Sequence, residues 1–327
     1  MEWPCVQVPR EAGEETREQL VTAGLRDDDR EILVEDGCLY IPVCSVDAVP
    51  GSYTVVDRET SLRQTQTMPG DLVDFAVSYE RLGEIVIVDE DDYERAQALA
   101  DAIVESDLDA TTVLNRASKI QGELRVRDWD VLVGTDTETV HREYGCEYAL
   151  DLSSVYFSPR LATERHRVTE QVGSDEHVID MFAGVGPFAI PAARTGATVI
   201  GVDKNEHAID YLERNASRNG VENAITAVHG DVRELGDQYE GWADRLFMNL
   251  PHSADEFLDT AITLAGAESV VHYYDIQHED DPFGPGLSAI ERAAGQEYDV
   301  TVLNRRGVRS YAPHELNVCL DVRLDRR

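Results

Sequence analysis

The stretch Asp180-Met181-Phe182-Ala183-Gly184-Val185-Gly186-Pro187-Phe188 constrains the fold of this chain more than any other. A strand-like run, His177-Val178-Ile179-Asp180-Met181-Phe182, leads into a Gly-x-Gly turn, and an apolar helix start follows at Pro187. Strand, glycine turn and helix N-terminus in that order leave backbone N–H groups facing outward, and glycine lets another molecule approach the main chain. About twenty residues on, a second strand, Thr198-Val199-Ile200-Gly201-Val202, ends in Asp203, where an acid suits the hydroxyls of a ribose. The pattern points to a nucleoside-type cofactor lying across the ends of a parallel sheet.

From His177 onward the pattern alternates between strand and helix. It predicts strands at Val178–Phe182, Thr198–Val202, Ile225–His229, Asp244–Asn249 and Ser269–Ile276, with helices at Pro187–Thr195, Glu206–Asn219, Ala254–Ala265 and Leu287–Ala294. Tyr298–Asn304 and Leu316–Leu324 then read as two strands with no helix between them. An α/β sheet ending in a hairpin-like pair resembles a class I (Rossmann-like) methyltransferase domain. Upstream, residues 1 to about 55 form a small α/β pattern: a helical stretch at Arg17–Gly24, then Ile32–Val34 and Leu39–Val43 around a hairpin turn at Glu35-Asp36-Gly37. A polar link runs from about Asp57 to Met68. A second unit follows, with strand-like stretches at Glu84–Val88, Thr112–Asn115, Trp129–Gly134, Val140–Gly145 and Tyr148–Asp151, a turn at Gly145 and a helix over Asp92–Glu105. The expected division is a small domain over 1–60, an α+β domain over 68–155 and the methyltransferase-like domain over 156–327.

Charge bears on the partner. The 327 residues include 64 Asp+Glu against 29 Lys+Arg, a net charge of -35, and Lys119 and Lys204 are the only lysines. The acid is dispersed rather than gathered in a tail, which fits a solvated surface built for high salt and points to a halophile's cytoplasm. Acidity of that kind does not exclude a nucleic-acid partner, because concentrated salt screens long-range repulsion. No run of about 18 apolar residues suggests a membrane span. The five cysteines are scattered without a Cys-x-x-Cys, so neither a disulfide frame nor a metal site is expected. His166, His252, His272 and His314 show no metal-ligand spacing and read as packing or polar surface.

Gly184-x-Gly186-x-x-Ala189 alone also fits the dinucleotide fingerprint. Three features favour S-adenosylmethionine over NAD. Asp180 sits at the strand end, where a carboxylate can meet an ammonium. Pro187 replaces the flexible step of a pyrophosphate loop. His229-Gly230-Asp231-Val232 closes the third strand with an acid suited to an adenine amino group, although Asp231 equally suits a helix N-cap. Met248-Asn249-Leu250-Pro251 ends the fourth strand with an asparagine whose amide can offer a donor and an acceptor to a base edge.

Three stretches occur in order: Tyr156-Phe157-Ser158-Pro159-Arg160-Leu161-Ala162-Thr163-Glu164-Arg165, Asp180–Phe188 and Met248-Asn249-Leu250-Pro251. Together they closely resemble the archaeal and eukaryotic tRNA (guanine-37-N1)-methyltransferase family, from about residue 70 to the end. The N-terminal unit resembles the extra domain of the archaeal branch, which reads the outer corner of tRNA. The resemblance implies S-adenosylmethionine as cofactor and a partner of tRNA, met at its anticodon loop and outer corner, rather than DNA or a membrane, in the cytoplasm. It implies Glu164 as the base, Arg125 as the arginine that steadies O6, with Arg127 two residues away, and Asn249 as the holder of the target base. Arg165, Asp203, Lys204, Asp231, Val232 and Asn249 match the family's cofactor contacts, beside Asp180, Phe182, Gly184 and Gly186 of the turn. Tyr156 packs against the base or shapes the pocket, or equally is plain core packing, and Pro251, which fixes Asn249, is placed on the substrate side. Three other readings remain: a wyosine-pathway enzyme transferring a methyl or aminocarboxypropyl group, a non-catalytic RNA-binding module and, more distantly, a NAD dehydrogenase.

Overall fold

The structure is a computed structural model that describes residues 2–63, 66–118, 122 and 126–327. It divides into two compact units, Met1–Thr67 and Met68–Arg327.

In the first unit a four-stranded sheet runs in the order Leu33–Glu35, Cys38–Pro42, Glu2–Pro9, Thr54–Glu59. Asp36 and Gly37 both have positive φ, at 49° and 76°, which is the two-residue turn that matches the twist of paired strands. Val6, Val8, Leu20, Ile41 and Val43 form the core beneath it. The helix spans Gly13–Thr22 rather than the expected 17–24, because the buried side is set by Gly13, Thr16 and Leu20 and the chain turns at Gly24 with φ 65°. The central strand Glu2–Pro9 was not legible: Pro4 and Pro9 interrupt its pattern.

The second unit opens with a four-stranded sheet (Tyr79–Leu82, Ile85–Val88, Thr112–Arg116, Trp129–Val133) backed by the helix Tyr93–Glu105. A hairpin follows, Glu138–Glu143 paired with Cys146–Asp151. The rest is a seven-stranded sheet: β1 His177–Asp180, β2 Thr198–Asp203, β3 Ile225–His229, β4 Ala243–Met248, β5 Ala265–His278, β6 Tyr298–Ala312 and β7 Glu315–Arg326. Their order is β3-β2-β1-β4-β5-β7-β6, with β1 to β5 parallel and β7 antiparallel to both its neighbours. The longer helices are α1 Ala162–Thr169, α2 Ala189–Arg194, α3 Glu206–Arg218, α4 Leu258–Leu264 and α5 Gly284–Ala294, with a single turn of helix at Gly236–Tyr239.

Alternate strand residues feed two cores, as a sheet covered on both faces requires. Val178, Val199 and Phe247 pack with α1, α2 and α3. Ile179, Ile200, Leu246 and Met248 pack with α4 and α5. The chain reverses direction of travel across the sheet at β1, which lies between β2 and β4, and ligands of open α/β sheets bind beside such a point.

Several boundaries move. α2 begins at Ala189, not Pro187, because Gly186 at φ 94° holds the preceding turn. A 3-10 turn over Ala254–Phe257 precedes α4. The terminal pair is far longer than 298–304 and 316–324: β6 continues through Arg305-Arg306-Gly307 to Ala312, bulged against β7, and the chain turns at His314 with φ 63°. The charged, exposed middle of β6 hides its strand periodicity.

Candidate cofactor and base-handling site

The strand ends of β1, β2, β3 and β4 hold most of the expected residues. Asp180 closes β1 and is fully buried. Its Oδ1 accepts the Phe182 N–H at 3.4 Å, while Oδ2 is buried with no partner among the described residues. Burial pushes its carboxyl up to about 7; the Phe182 N–H opposes the rise and the nearby Asp203 adds to it. Asp203 ends β2 and accepts two backbone donors, Gly184 N at 2.8 Å and Asn205 N at 2.9 Å. Burial raises its carboxyl as well, against those donors. Lys204 bridges to Asp231 at 2.9 Å, tying the ends of β2 and β3 together. Asp231 does cap the short helix Val232–Leu235, accepting Arg233 N at 3.0 Å. The Arg233 side chain, then Lys204, holds that carboxyl well below the usual range.

The two glycines of the turn do different work. A side-chain carbon on Gly184 would meet nothing within 4 Å, so the space over it is open to a ligand. One on Gly186 would lie 2.6 Å from Leu212 and 2.9 Å from Ile190, so Gly186 is needed for packing against α3 and α2. Phe182 is half-buried edge-on to Phe257, with ring centroids 4.9 Å apart, and Val232 is buried. An unpaired buried carboxylate, an open glycine loop and acids at two further strand ends suit a ligand with an ammonium, a ribose and an aminopurine. These residues fit S-adenosylmethionine.

Asn249 follows β4 and is half-buried, and no other described residue engages its amide. The Pro251 carbonyl accepts Ile276 N at 3.1 Å, which pins the turn to β5.

Glu164 lies on α1, 4% exposed, so it is not a surface helix residue. Arg167 grips both its oxygens, at 2.6 and 2.9 Å. The Tyr274 hydroxyl donates to Oε1 at 3.1 Å and Arg306 reaches Oε2 at 2.9 Å. Register relates this carboxylate to Asn249: Met248 pairs with Tyr273, so Asn249 and Tyr274 continue from that pair on adjacent strands. Arg165 is also buried, but its guanidinium is spent on Glu143, at 2.6 and 2.7 Å, and on the Ser158 carbonyl at 3.0 Å. Tyr156 is half-buried. Arg125 lies outside the described residues.

Behind Glu164 runs a buried chain of charges that the sequence did not disclose. Arg167 donates to Asp321 at 2.6 Å, Asp321 bonds His272 Nδ1 at 2.7 Å, His272 Nε2 meets Arg245 at 2.7 Å, and Arg245 pairs with Glu176 at 2.6 Å. Burial alone would raise Asp321, but hydrogen bonds from His272 and Arg167 hold it far below the usual range. Burial lowers His272. His272, Cys319 and Asp321 bring ligand-type atoms within 4.8 Å of one another, yet two guanidiniums already donate into that group. Arg167 could have been found from its i+3 spacing to Glu164. Tyr274, Arg306 and Asp321 are more than 100 residues away from it and carry no local signal.

The sequence family described as the TRM5/TYW2 methyltransferase domain matches residues 139–303, the tRNA methyltransferase 5 N-terminal domain matches 5–48 and the TYW2 N-terminal domain matches 61–137. The tRNA (guanine(37)-N(1))-methyltransferase Trm5b of Pyrococcus abyssi is 39% identical over 98% of this chain and 98% of its own. A tRNA(Phe) (4-demethylwyosine(37)-C(7)) aminocarboxypropyltransferase of Pyrococcus horikoshii is 36% identical over 66% of this chain and 78% of its own. Among solved structures, the complex of aTrm5 and tRNALeu superposes with a TM-score of 0.74 at 30% identity, covering 98% of this chain and 99% of that one. With a carboxylate-lined glycine turn, the Asn249-Leu250-Pro251 corner and this end-to-end similarity, the chain belongs to the TRM5/TYW2 methyltransferase family.

Proposed function

We propose that this chain methylates N1 of guanine 37 in tRNA, giving N1-methylguanosine 3′ of the anticodon. The observation that carries the reading is similarity over 98% of both chains to a relative named for that reaction. S-adenosylmethionine, when bound, supplies an electrophilic methyl group. Asp180, Phe182, Gly184, Gly186, Asp203, Lys204, Asp231, Val232 and Asn249 would hold it, with Arg165 bracing the wall through Glu143.

Guanine N1 carries a proton at neutral pH, so its lone pair is not free. Glu164 is the base that takes that proton onto a carboxylate oxygen. Arg167 and Tyr274 fix the carboxylate from behind, which removes the cost of orienting it. Arg125 steadies the charge that develops on O6. Asn249 offers a donor and an acceptor to the base edge, and Tyr156 and Pro251 shape the pocket around it. Base 37 must leave the anticodon-loop stack to arrive there, and a loop base flips at less cost than a paired one.

With this reading go the domain limits 1–60, 68–155 and 156–327, the first segment meeting the outer corner of tRNA and the last receiving base 37 of the anticodon loop, in the cytoplasm of a halophile. Aminocarboxypropyl transfer is the second reading, supported by the 36% identical relative, but that relative spans 66% of this chain. The match at residues 5–48 to the methyltransferase 5 N-terminal domain favours methylation.

The test is methyl transfer to tRNA transcripts bearing guanine, inosine or adenine at position 37. Product that appears with guanine and disappears when position 37 is changed supports the reading. Methylation at other positions, or aminocarboxypropyl product, defeats it.

A further inference from the structure

The contact that the mechanism leaves unexplained is Arg306 on Glu164. A base that must receive a proton on a carboxylate oxygen has one of them, Oε2, paired with a second guanidinium 2.9 Å away. Arg167 already binds both carboxylate oxygens, so Arg306 is not needed to fix the group. It is also the exposed partner: its side chain is 44% exposed, against 18% for Arg167, and Tyr274 is buried. An exposed arm of an ion pair exchanges readily with solvent or another anion.

Charge counting shows what its departure would do. Glu164 and Asp321 carry two negative charges, Arg167 and Arg306 two positive, and burial disfavours the charged form of His272. With Arg306 in place the group balances. Without it one negative charge is in excess, and one lone pair of Glu164 Oε2 has no cation on it.

Arg306 lies on the edge strand β6, which pairs with β7 alone. Residues 300–314 contain Arg305, Arg306 and Arg309 and no acid, in a chain whose net charge is -35. Leu303 and Tyr311 of the same strand are exposed. Tyr311 also hydrogen-bonds His252 at 2.9 Å, which places β6 beside the corner that follows Asn249. Farther along, Arg309 stands opposite Asn317, and each keeps a buried side-chain atom, Nε and Oδ1, without a partner among the described residues. A cationic, acid-free strip with an exposed aromatic suits a nucleic-acid backbone and a stacked base.

We propose that Arg306 is an exchangeable cap on Glu164: RNA lying along the second half of β6 draws the guanidinium onto a phosphate and uncovers the carboxylate. The carboxylate thus has a free lone pair on Oε2 when substrate is in place and an ion-paired one when it is not. This inference rests on Glu164 being the base.

The experiment uses the full chain, its Arg306→Gln and Arg306→Lys variants, and a tRNA transcript with guanine 37. Affinity is measured by fluorescence anisotropy over a salt series, and methyl transfer by single turnover at saturating tRNA. Arg306→Gln should weaken binding about tenfold and make the log–log salt slope shallower by about one, the signature of one lost phosphate contact. The loss should fall on affinity, with the saturated rate within about threefold of the wild type, and Arg306→Lys should recover most of the affinity. An unaltered salt slope in Arg306→Gln overturns the cap. So does a saturated rate more than tenfold lower, since Arg306 would then be required on Glu164 during chemistry. Absence of transfer by the wild-type chain defeats the functional reading itself, and the wild-type assay shows that separately from either result.

Discussion

Asp180 and Glu164 are both buried carboxylates, and their surroundings set opposite demands. Among the described residues no cation stands beside Asp180, and its carboxyl is pushed up to about 7 by burial. Its folded-state value therefore lies above the ordinary 3.8, and the native chain keeps a proton that the unfolded chain has lost. The stability this confers is complete below about pH 4 and is lost as pH rises through about 7. Asp180→Asn should accordingly gain stability relative to the wild type as pH climbs from 5 to 8, read as the difference between the two denaturation midpoints. The same variant should bind S-adenosylmethionine at least tenfold more weakly by calorimetry, because it has lost the charge an ammonium would meet. A midpoint difference that does not vary with pH would show that Asp180 ionises normally. Glu164, by contrast, is fixed by Arg167 and Tyr274. Glu164→Gln should keep cofactor binding near normal and slow the chemical step by roughly a hundredfold or more. Unchanged single-turnover rates would remove Glu164 as the base.

The glycine turn and its supports decide the next scale. Gly186→Ala forces a methyl against Leu212 and Ile190 and should cost about 1–3 kcal/mol of stability in urea denaturation. Gly184→Ala meets open space but keeps φ at 51°, so its stability cost is about 1–2 kcal/mol and its main damage should fall on cofactor affinity. Equal effects of the two on both measurements would contradict this division. Asn215 of α3 is the brace behind the turn. It is fully buried, accepts Ala149 N at 2.7 Å and donates to the carbonyls of Ala149 at 2.9 Å and Val185 at 3.1 Å. It therefore joins the hairpin's second strand, Cys146–Asp151, to the cofactor loop. Nothing in the sequence marked it, since an asparagine inside an amphipathic helix looks like any polar residue on a solvated face. The turn itself was legible because glycines and strand-end acids are local signals. The charge chain from Arg167 through Asp321 and His272 to Arg245 was not, since its members come from α1, β7, β5 and β4 and meet only when the sheet has formed. β6 was half legible: Tyr298–Asn304 alternates, while Arg305-Arg306-Gly307 is exposed on an edge that carries charge.

At the scale of the whole molecule the governing quantity is the charge of -35. Most arginines are already committed to nearby acids, as in Arg165 with Glu143, Arg116 with Glu80 and Arg245 with Glu176. The surplus acid therefore faces other acid across the surface. At about 0.1 M salt the screening length is about 10 Å, so neighbouring surface charges still repel; at about 1 M it is about 3 Å and they do not. Unfolding lets the charges spread, so low salt favours the unfolded chain. The melting temperature should rise as potassium chloride goes from about 0.1 to about 2 M, by about 1.5 °C for each kcal/mol of repulsion relieved in a chain of this length. Sodium chloride at equal ionic strength should give a similar rise if screening is the cause. A falling or flat melting temperature would mean that the arginine–carboxylate pairs, which salt weakens, outweigh the unpaired acid. The same salt series constrains RNA binding. A surface that repels a polyanion at low salt and grips it through a few arginines should bind tRNA with a shallow salt dependence. Steep loss of affinity over that range would instead indicate many phosphate contacts, beyond those that an acid-free strip such as residues 300–314 can supply.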